Sequence, residues 1–265
     1  MRALVLNLAA ATDRRAFMGK QLDALCIPWE RIEAVTTQTL SPPPGDPIWH
    51  RWERPLRVTE MAACSSHMRA WQRVVDLDEA CLVLEDDALL DRAVPDLLGA
   101  LEASRPDIEH VSLETRGRRK VLAPDAYPGL PLRRLYLDRT GAAAYVLWPC
   151  GARKLLDRAG RARGLADGII CAAAELRSWQ ADPALAIQLD RAEAHGIVPP
   201  IAPTSQIGAI SKPGKGGFVF RLRRLKAQVS QGVRQLRPRT KRCEVPPAGN
   251  WVIAPLAPVD TTDAH

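Results

Sequence analysis

Short apolar runs alternate with stretches of helical periodicity over the first two thirds of the chain. The short runs have the length of buried strands, and apolar residues recurring every three or four positions are typical of an amphipathic helix. Strands are predicted at Ala3–Leu8, Trp29–Val35, Cys81–Leu84, His110–Leu113, around Leu135 and at Ala144–Leu147, and helices at Asp13–Leu25, Thr59–Val75, Pro95–Ala103 and Gly151–Ala159. This order indicates an α/β fold with a predominantly parallel sheet flanked by helices, which binds ligands at the carboxyl ends of its strands.

The pattern changes past Pro199, where Pro, Gly, Ser and basic residues dominate. We therefore predict a globular domain over residues 1–211 and a basic helical extension over residues 212–265. Within the extension, apolar residues recur at helical spacing between Phe218 and Leu236, and Arg or Lys residues occupy other positions. This amphipathic basic helix is typical of a membrane interface, but the same pattern fits a helix packed on the domain with one solvated face.

The charge of the chain is concentrated in that extension. The 265 residues include 37 Lys and Arg against 30 Asp and Glu, a net charge of +7. Residues 212–242 hold eleven of the basic residues and no acidic one, so the remaining 26 basic residues face all 30 acidic ones and the rest carries −4. We expect residues 212–242 to contact an anionic membrane surface, with no specific nucleic acid as partner, because no recognition motif is visible.

The cysteines and the N-terminus indicate a cytoplasmic protein. The six cysteines show no metal-ligand spacing, and four lie in apolar stretches, as expected of reduced thiols. The N-terminal apolar run of about eight residues is too short for the core of a signal peptide. No window approaches the roughly 18 apolar residues that a membrane span needs. The predicted location is therefore the cytoplasm, with peripheral attachment to the inner membrane face.

Three carboxylates follow the apolar run Cys81–Leu84 directly, namely Glu85, Asp86 and Asp87. Residues two apart at a strand end point to the same side, so Glu85 and Asp87 are the expected ligands of a hard cation, with Asp86 turned elsewhere or reaching the cation through water. Crowded carboxylates repel one another unless a metal neutralises them, which favours Mn²⁺ or Mg²⁺. The alternative is that these residues cap the next helix or are simply solvated.

An ordered set of segments resembles glycosyltransferase family 25, which includes bacterial lipooligosaccharide and lipopolysaccharide glycosyltransferases. The resemblance covers roughly Ala3 to Asp167. The segments, in order, are V-L-N-L with T-D-R-R-A-F-M, then W-E-R-I-E-A-V, A-C-S-S-H-M-R-A-W, C-L-V-L-E-D-D-A, and T-G-A-A-A-Y-V-L followed by G-A-R-K-L-L. Each segment is common by itself, and their order is what makes the resemblance specific.

The resemblance implies a GT-A-like nucleotide-binding fold, a UDP-sugar donor and a metal site of the acid-x-acid type. By position it places Asn7, Asp13 and Arg14 in the donor-binding segment, and Glu85, Asp86 and Asp87 in the acidic motif. His67, preceded by Ser66, matches the Ser-His pair of the family. For His67 a contact to donor phosphate or to the carboxylates competes with the role of a core histidine bonded to backbone.

We therefore hypothesise a metal-dependent enzyme that moves a hexose, such as galactose, from a UDP-sugar to a hydroxyl of a lipopolysaccharide or other cell-surface glycan precursor, free or lipid-linked. Inversion at the anomeric carbon needs a carboxylate base, and of Asp167, Glu114 and Asp86 we favour Asp167. Family members frequently carry charged residues where this chain has Ala9–Ala11. That difference keeps open the alternative, a non-catalytic glycan-assembly or membrane-adaptor protein with the same fold.

Overall fold

The structure is a computed structural model and describes residues 1–104, 107–139, 141–201, 217–235 and 239–253. Every predicted strand and helix overlaps an element of these ranges, whereas the pattern does not predict the strands at 88–90, 120–126, 178–181, 186–188 and 241–243 or the helix at 166–172. The strands are β1 (Arg2–Asn7), β2 (Trp29–Glu33), β3 (Cys81–Glu85), β4 (Ala88–Leu90), β5 (His110–Ser112), β6 (Lys120–Ala126), β7 (Leu132–Leu137), β8 (Ala144–Leu147), β9 (Ser178–Ala181), β10 (Ala186–Gln188) and β11 (Lys241–Cys243). The helices are α1 (Thr12–Ala24), α2 (Val58–Leu77), α3 (Val94–Ser104), α4 (Pro149–Arg161), α5 (Ala166–Ala172) and α6 (Phe218–Gln235).

Successive side chains of the central strands point into two different cores. Along β3, Leu82 and Leu84 belong to the core beneath α1 and α3, whereas Cys81 and Val83 belong to the core beneath α2, α4 and α5. Both faces of the sheet are therefore covered by helices. This explains why β3 is a continuous apolar run instead of an alternating one.

The prediction of a predominantly parallel sheet is wrong for the described strands. They form a nine-stranded sheet in the order β11-β6-β7-β9-β5-β8-β3-β1-β2. Only β1 with β2, β1 with β3, and β5 with β9 pair in parallel, and the other five neighbouring pairs are antiparallel. Between β5 and β8 the described chain forms the β6–β7 hairpin instead of the crossover helix that parallel pairing requires. The fold is therefore a mixed α/β fold with a large central sheet flanked by helices.

The glycine of the G-A-R-K-L-L segment allows α4 to approach the sheet closely. A Cβ on Gly151 would lie 2.5 Å from the carbonyl oxygen of Glu109, which precedes β5. Pro149 begins this helix, a position where the missing N–H costs no hydrogen bond. The missing side chain at Gly151 thus lets α4 contact the backbone that precedes β5.

Part of the predicted extension belongs to the domain. Strand β11 pairs with β6 at the edge of the sheet, and Val245, Trp251 and Val252 are buried. The backbone N–H of Asn250 donates to Asp91 Oδ2 at 2.6 Å. The predicted boundary at residue 211 lies outside the described residues, as do residues 212–216, 236–238 and 254–265 of the extension.

Helix α6 rests on the domain through its polar side. Arg234 donates to the carbonyl oxygens of Cys171 at 2.6 Å and Ala172 at 2.8 Å, and Arg223 donates to the carbonyl oxygen of His50. None of the residues of α6 is buried. Within the described ranges, no helix combines the length and the hydropathy that crossing a membrane requires.

Candidate functional site

The carboxyl ends of β1 and β3 bring the opening segment and the acidic motif together. Their parallel register pairs Leu6 with Glu85, so that Asn7 lies beside Asp86. Asn7 Nδ2 donates to Asp86 Oδ2 at 2.8 Å, and Arg14 Nη1 of α1 donates to Asp86 Oδ1 at 2.8 Å. Both carboxylate oxygens of Asp86 are thus engaged, and this residue holds Arg14 over the strand ends.

The turn that connects β1 to α1 supplies little polar chemistry of its own. Ala9 and Ala10 are exposed, and Asn7 Nδ2 donates a second hydrogen bond to the carbonyl oxygen of Ala11 at 3.0 Å. Asp13 lies exposed in the first turn of α1. Of the three residues expected in the donor segment, the structure brings Asn7 and Arg14 to the acidic motif but leaves Asp13 at the surface.

Glu85 is held by a hydrogen bond to each of its two oxygens. His67 Nε2 lies 3.0 Å from Glu85 Oε1, and Gln188 Nε2 of β10 donates to Glu85 Oε2 at 3.1 Å. Burial opposes the ionisation of Glu85, but the interactions with His67, Arg116 and Gln188 together outweigh it and lower the pKa of Glu85 below its usual value. His67 therefore contacts the carboxylate cluster, one of the two roles expected for it.

A buried chain of hydrogen bonds fixes the orientation of His67. Trp71 Nε1 donates to the hydroxyl of Tyr145 at 2.7 Å, and that hydroxyl lies 3.0 Å from His67 Nδ1. Because an ionised carboxylate can only accept, His67 Nε2 carries a hydrogen and donates it to Glu85. The Tyr145 hydroxyl contacts the other ring nitrogen, so both nitrogens hold the imidazole in this orientation.

Asp87 carries the unsatisfied part of the acidic motif. Burial and the charge of Glu85 raise the pKa of Asp87 to about 7, and its buried Oδ1 has no hydrogen-bond partner among the described residues. No group of three or more His, Cys, Asp or Glu side chains in the described ranges is arranged to hold a metal by itself. Mg²⁺ is usually bound by one or two carboxylates together with substrate phosphates, and Glu85 and Asp87 fit that donor set.

Glu114 is a buried carboxyl group close enough to feel the charge of Glu85. Its Oε2 accepts a hydrogen bond from the backbone N–H of Ala143 at 3.0 Å, and burial raises its pKa to about 8. Gly141 has a φ of +127°, and a Cβ at this position would lie 3.0 Å from Glu114 Oε2. The glycine of the T-G-A-A-A segment therefore leaves room for this carboxylate.

A buried lysine, Lys120, connects Glu114 to neighbouring strands of the sheet, and the sequence pattern does not reveal it. Lys120 Nζ lies 2.6 Å from Asp138 Oδ2, and it donates to Gln180 Oε1 at 2.5 Å and to the carbonyl oxygen of Glu114 at 2.7 Å. Lys120 ends a run of three basic residues and Gln188 lies between apolar ones, and no periodicity or spacing marks either. Only the strand pairing could have shown that they reach the site.

Asp167 lies in the first turn of α5 and is partly buried. Its Oδ1 accepts the N–H of Gly168 at 2.7 Å, and burial, with a contribution from the charge of Glu85, raises its pKa to about 6. It lines a cavity of about 40 Å³ together with Asp138 and His110, which gives room for a few water molecules. The structure thus places Asp167 within electrostatic reach of the acidic motif.

The start of α5 is fixed by an aromatic ring. A Cβ on either Gly164 or Gly168 would overlap the indole of Trp52, so the ring packs directly on the backbone around Asp167. Trp52 is therefore a positioning residue for the candidate base, one that the sequence pattern does not mark.

The model of glycosyltransferase family 25 (LPS biosynthesis protein) matches residues 1–170. Among solved structures, the chain is similar to A197 from STIV, with 10% identity and a TM-score of 0.35 over 68% of this chain and 81% of that one. It is also similar to mannose-1-phosphate geranyltransferase from Thermus thermophilus, with 13% identity and a TM-score of 0.37 over 71% of this chain and 73% of that one. No curated protein sequence matches the chain. The family match spans β1 to α5 and contains the acidic motif, His67 and Asp167, and the chain belongs to glycosyltransferase family 25.

Proposed function

We propose that this family 25 chain transfers a hexosyl group, with galactose as the first candidate, from a UDP-sugar to a hydroxyl of a lipopolysaccharide or other cell-surface glycan precursor. The observation that carries the proposal is the acidic site at the ends of β1 and β3. There the unpartnered oxygen of Asp87 lies in the field of Glu85, and Arg14 is held above them by Asp86. Such a site suits a GT-A-like donor pocket for a diphosphate and a divalent cation.

The donor half of the site is assigned to five residues. Glu85 and Asp87 would hold Mn²⁺ or Mg²⁺, which supplies Lewis-acid stabilisation of the charge on the departing UDP. Arg14, in the first turns of α1, adds positive charge where a helix N-terminus already favours phosphate. Asn7 and Asp86 keep the Arg14 guanidinium in place through their hydrogen bonds.

Asp167 is the base that best fits an inverting transfer. With a pKa of about 6 it is ionised at neutral pH and can take the proton of an acceptor hydroxyl while that oxygen bonds to the anomeric carbon. Glu114, with a pKa of about 8, is mostly protonated there, and Asp86 is paired with Arg14. The proton therefore moves from the acceptor to Asp167, and UDP leaves with the bonding electrons.

The proposed acceptor is a glycan or lipid-linked glycan, met at the cytoplasmic face of the membrane. Contact with an anionic membrane surface through residues 212–242 is part of this proposal. The support is charge, because this stretch has no acidic residue. Helix α6 lies within this stretch, and substitutions in it can test the contact.

A second candidate is a non-catalytic glycan-assembly or membrane-adaptor protein with the same fold. The observation in its favour is the exposed turn at Ala9 and Ala10, which offers a donor no side-chain hydrogen bond beside Asp86. Binding of UDP without hydrolysis or transfer across a panel of sugar nucleotides would support this candidate over the enzyme.

The deciding experiment is a thermal-shift screen of nucleoside diphosphates and their sugars with and without Mn²⁺. We expect UDP and one UDP-sugar to raise the melting temperature only when Mn²⁺ is present, because a ligand that binds the folded state stabilises it. Asp87→Asn should abolish the Mn²⁺-dependent part of the shift. Asp125→Asn, at an exposed position of β6, is the matched control. Absence of any Mn²⁺-dependent UDP shift, with unchanged transfer by Asp87→Asn, would show that the metal site is wrong.

A further inference from the structure

Helix α6 presents a continuous apolar stripe to solvent. Five of its large apolar residues are more than half exposed and form this stripe, at 72% for Phe218, 51% for Leu222, 56% for Leu225, 58% for Val229 and 62% for Val233. Their spacing of three and four residues places them on one side of the helix. Single exposed apolar residues are ordinary on protein surfaces, but a contiguous set marks an interaction site.

The described part of the domain does not cover this stripe, because it contacts the opposite side of the helix. Arg223, Ala227 and Arg234 are partly buried, and both arginines donate to backbone carbonyls of the domain. At about 100° per residue these three positions lie across the helix from Leu222 and Val229. The stripe therefore points away from the body of the protein.

The charges on α6 select the kind of partner. The helix carries five basic residues and no acidic one: Arg221, Arg223, Arg224, Lys226 and Arg234. Arg221 and Lys226 border the stripe on its two sides, where long side chains can keep their charge in water while their stems cover apolar surface. A second copy of this helix would bring like charges together, whereas an anionic lipid surface would neutralise them.

We propose that α6 is the docking surface of this protein for an anionic lipid bilayer. The helix lies in the plane of the interface, with the stripe in the acyl boundary and Arg221 and Lys226 at the level of the lipid phosphates. This assignment does not depend on the transfer reaction. It names the face that touches the membrane and identifies the polar side as the attachment to the domain.

Helix α6 also contributes a side chain to the cavity that contains the candidate base, Asp167. Arg234 lines the same cavity as Asp167, and it binds the carbonyls at the end of α5, the helix whose first turn carries Asp167. A docked protein therefore holds this cavity beside its membrane-facing helix. This step rests on the proposed function, and it narrows the acceptor class to glycans that are anchored in the bilayer.

The test is co-sedimentation of the full chain with phosphatidylcholine vesicles that contain or lack phosphatidylglycerol. We expect binding to the anionic vesicles that weakens with salt, and a loss of at least about tenfold in Leu222→Ser/Val229→Ser, since that variant removes apolar area but no charge. Gln228→Ser/Gln231→Ser, off the stripe on the same helix, should bind as the wild type does. The melting temperature of the stripe variant should be unchanged because both residues are exposed.

Three results would overturn the proposal: no binding of the wild type to anionic vesicles, equal binding by the stripe variant, or a dimer in solution that the stripe variant disperses. The Mn²⁺-dependent UDP shift, measured on the same samples, separates this proposal from the transfer reaction. Vesicle binding without a UDP shift leaves docking intact and removes the proposed donor. A UDP shift without vesicle binding does the reverse.

Discussion

The hydroxyl of Tyr145 joins Trp71 to His67 in the hydrogen-bond chain behind Glu85. In Tyr145→Phe, the buried Trp71 Nε1–H loses its acceptor and His67 Nδ1 loses its partner. We expect a loss of stability of about 1–3 kcal/mol, measured by urea unfolding, because buried polar groups are left unsatisfied. We also expect the Nδ1 resonance of His67 to shift in nitrogen NMR, because that nitrogen loses its hydrogen-bond partner.

Tyr127→Phe is the control for that variant. Tyr127 contacts Trp179 edge-to-face at 4.8 Å between ring centroids, and that contact survives the removal of a hydroxyl. Equal destabilisation by the two variants, or an unchanged Nδ1 resonance of His67 in Tyr145→Phe, would contradict the hydrogen-bond chain described for Glu85.

Asp167 is expected to reduce stability at neutral pH. Its folded pKa of about 6 lies above the ordinary value of 3.8, so the folded protein binds this proton more tightly than the unfolded chain does. The cost is absent below about pH 4, grows as the pH rises, and is complete above about pH 6. Asp167→Asn should therefore be more stable than wild type by up to about 3 kcal/mol at pH 7 to 8 and equal to it near pH 4, while losing transfer activity.

The measurement is denaturant unfolding across that pH range. Asp125→Asn, at an exposed site, should show no such pH-dependent gain. A stability difference for Asp167→Asn that is largest in acid would mean that the carboxylate is stabilised, not strained, by its surroundings.

At the residue scale, the sequence predicts the types of residue in the site better than their contacts. The acidic motif and His67 are visible because they follow a strand or recur in a motif. Nothing in the sequence shows that Asp86 pairs with Arg14, or that Gln188 reaches Glu85, because those contacts depend on register and strand order.

At the level of elements, the loop before β8 depends on a glycine. Gly141→Ala would place a side chain at a φ of +127° and 3.0 Å from Glu114 Oε2. We expect a destabilisation of about 1–3 kcal/mol by thermal or urea unfolding, because that backbone conformation is strained for other residues. Gly99→Ala, in the middle of α3 with open space around it, should instead stabilise by about 0.5–1 kcal/mol. Two variants of the same sign would contradict this account of Gly141.

Element type follows from periodicity, whereas the direction of the strands does not. Helix α2 spans Val58–Leu77 against a predicted Thr59–Val75, because its apolar residues repeat along its whole length. The antiparallel insertion of β8 between β3 and β5 depends on the hairpin before it, whose first strand, β6, is partly polar and is not predicted from the pattern. The mixed sheet therefore emerges only from the tertiary structure.

On the scale of the whole molecule, the chain after α6 is part of the fold. A deletion from residue 212 onward would remove β11 together with the buried Val245, Trp251 and Val252, and would expose the sheet edge at β6. Such a truncation would confuse loss of membrane contact with loss of folding. Substitutions within α6 avoid this confusion because none of its residues is buried.

The return of the chain to the sheet also limits how a docked molecule can move. A basic helix at the end of a free tail lets the body tumble above the bilayer, but α6 is followed by residues that join the sheet at β11. Its Arg234 is in addition bonded to the end of α5. A bilayer-docked molecule would hold Asp167 at one height above the lipid phosphates. It would then select acceptors by the length of glycan between the membrane and the reacting hydroxyl.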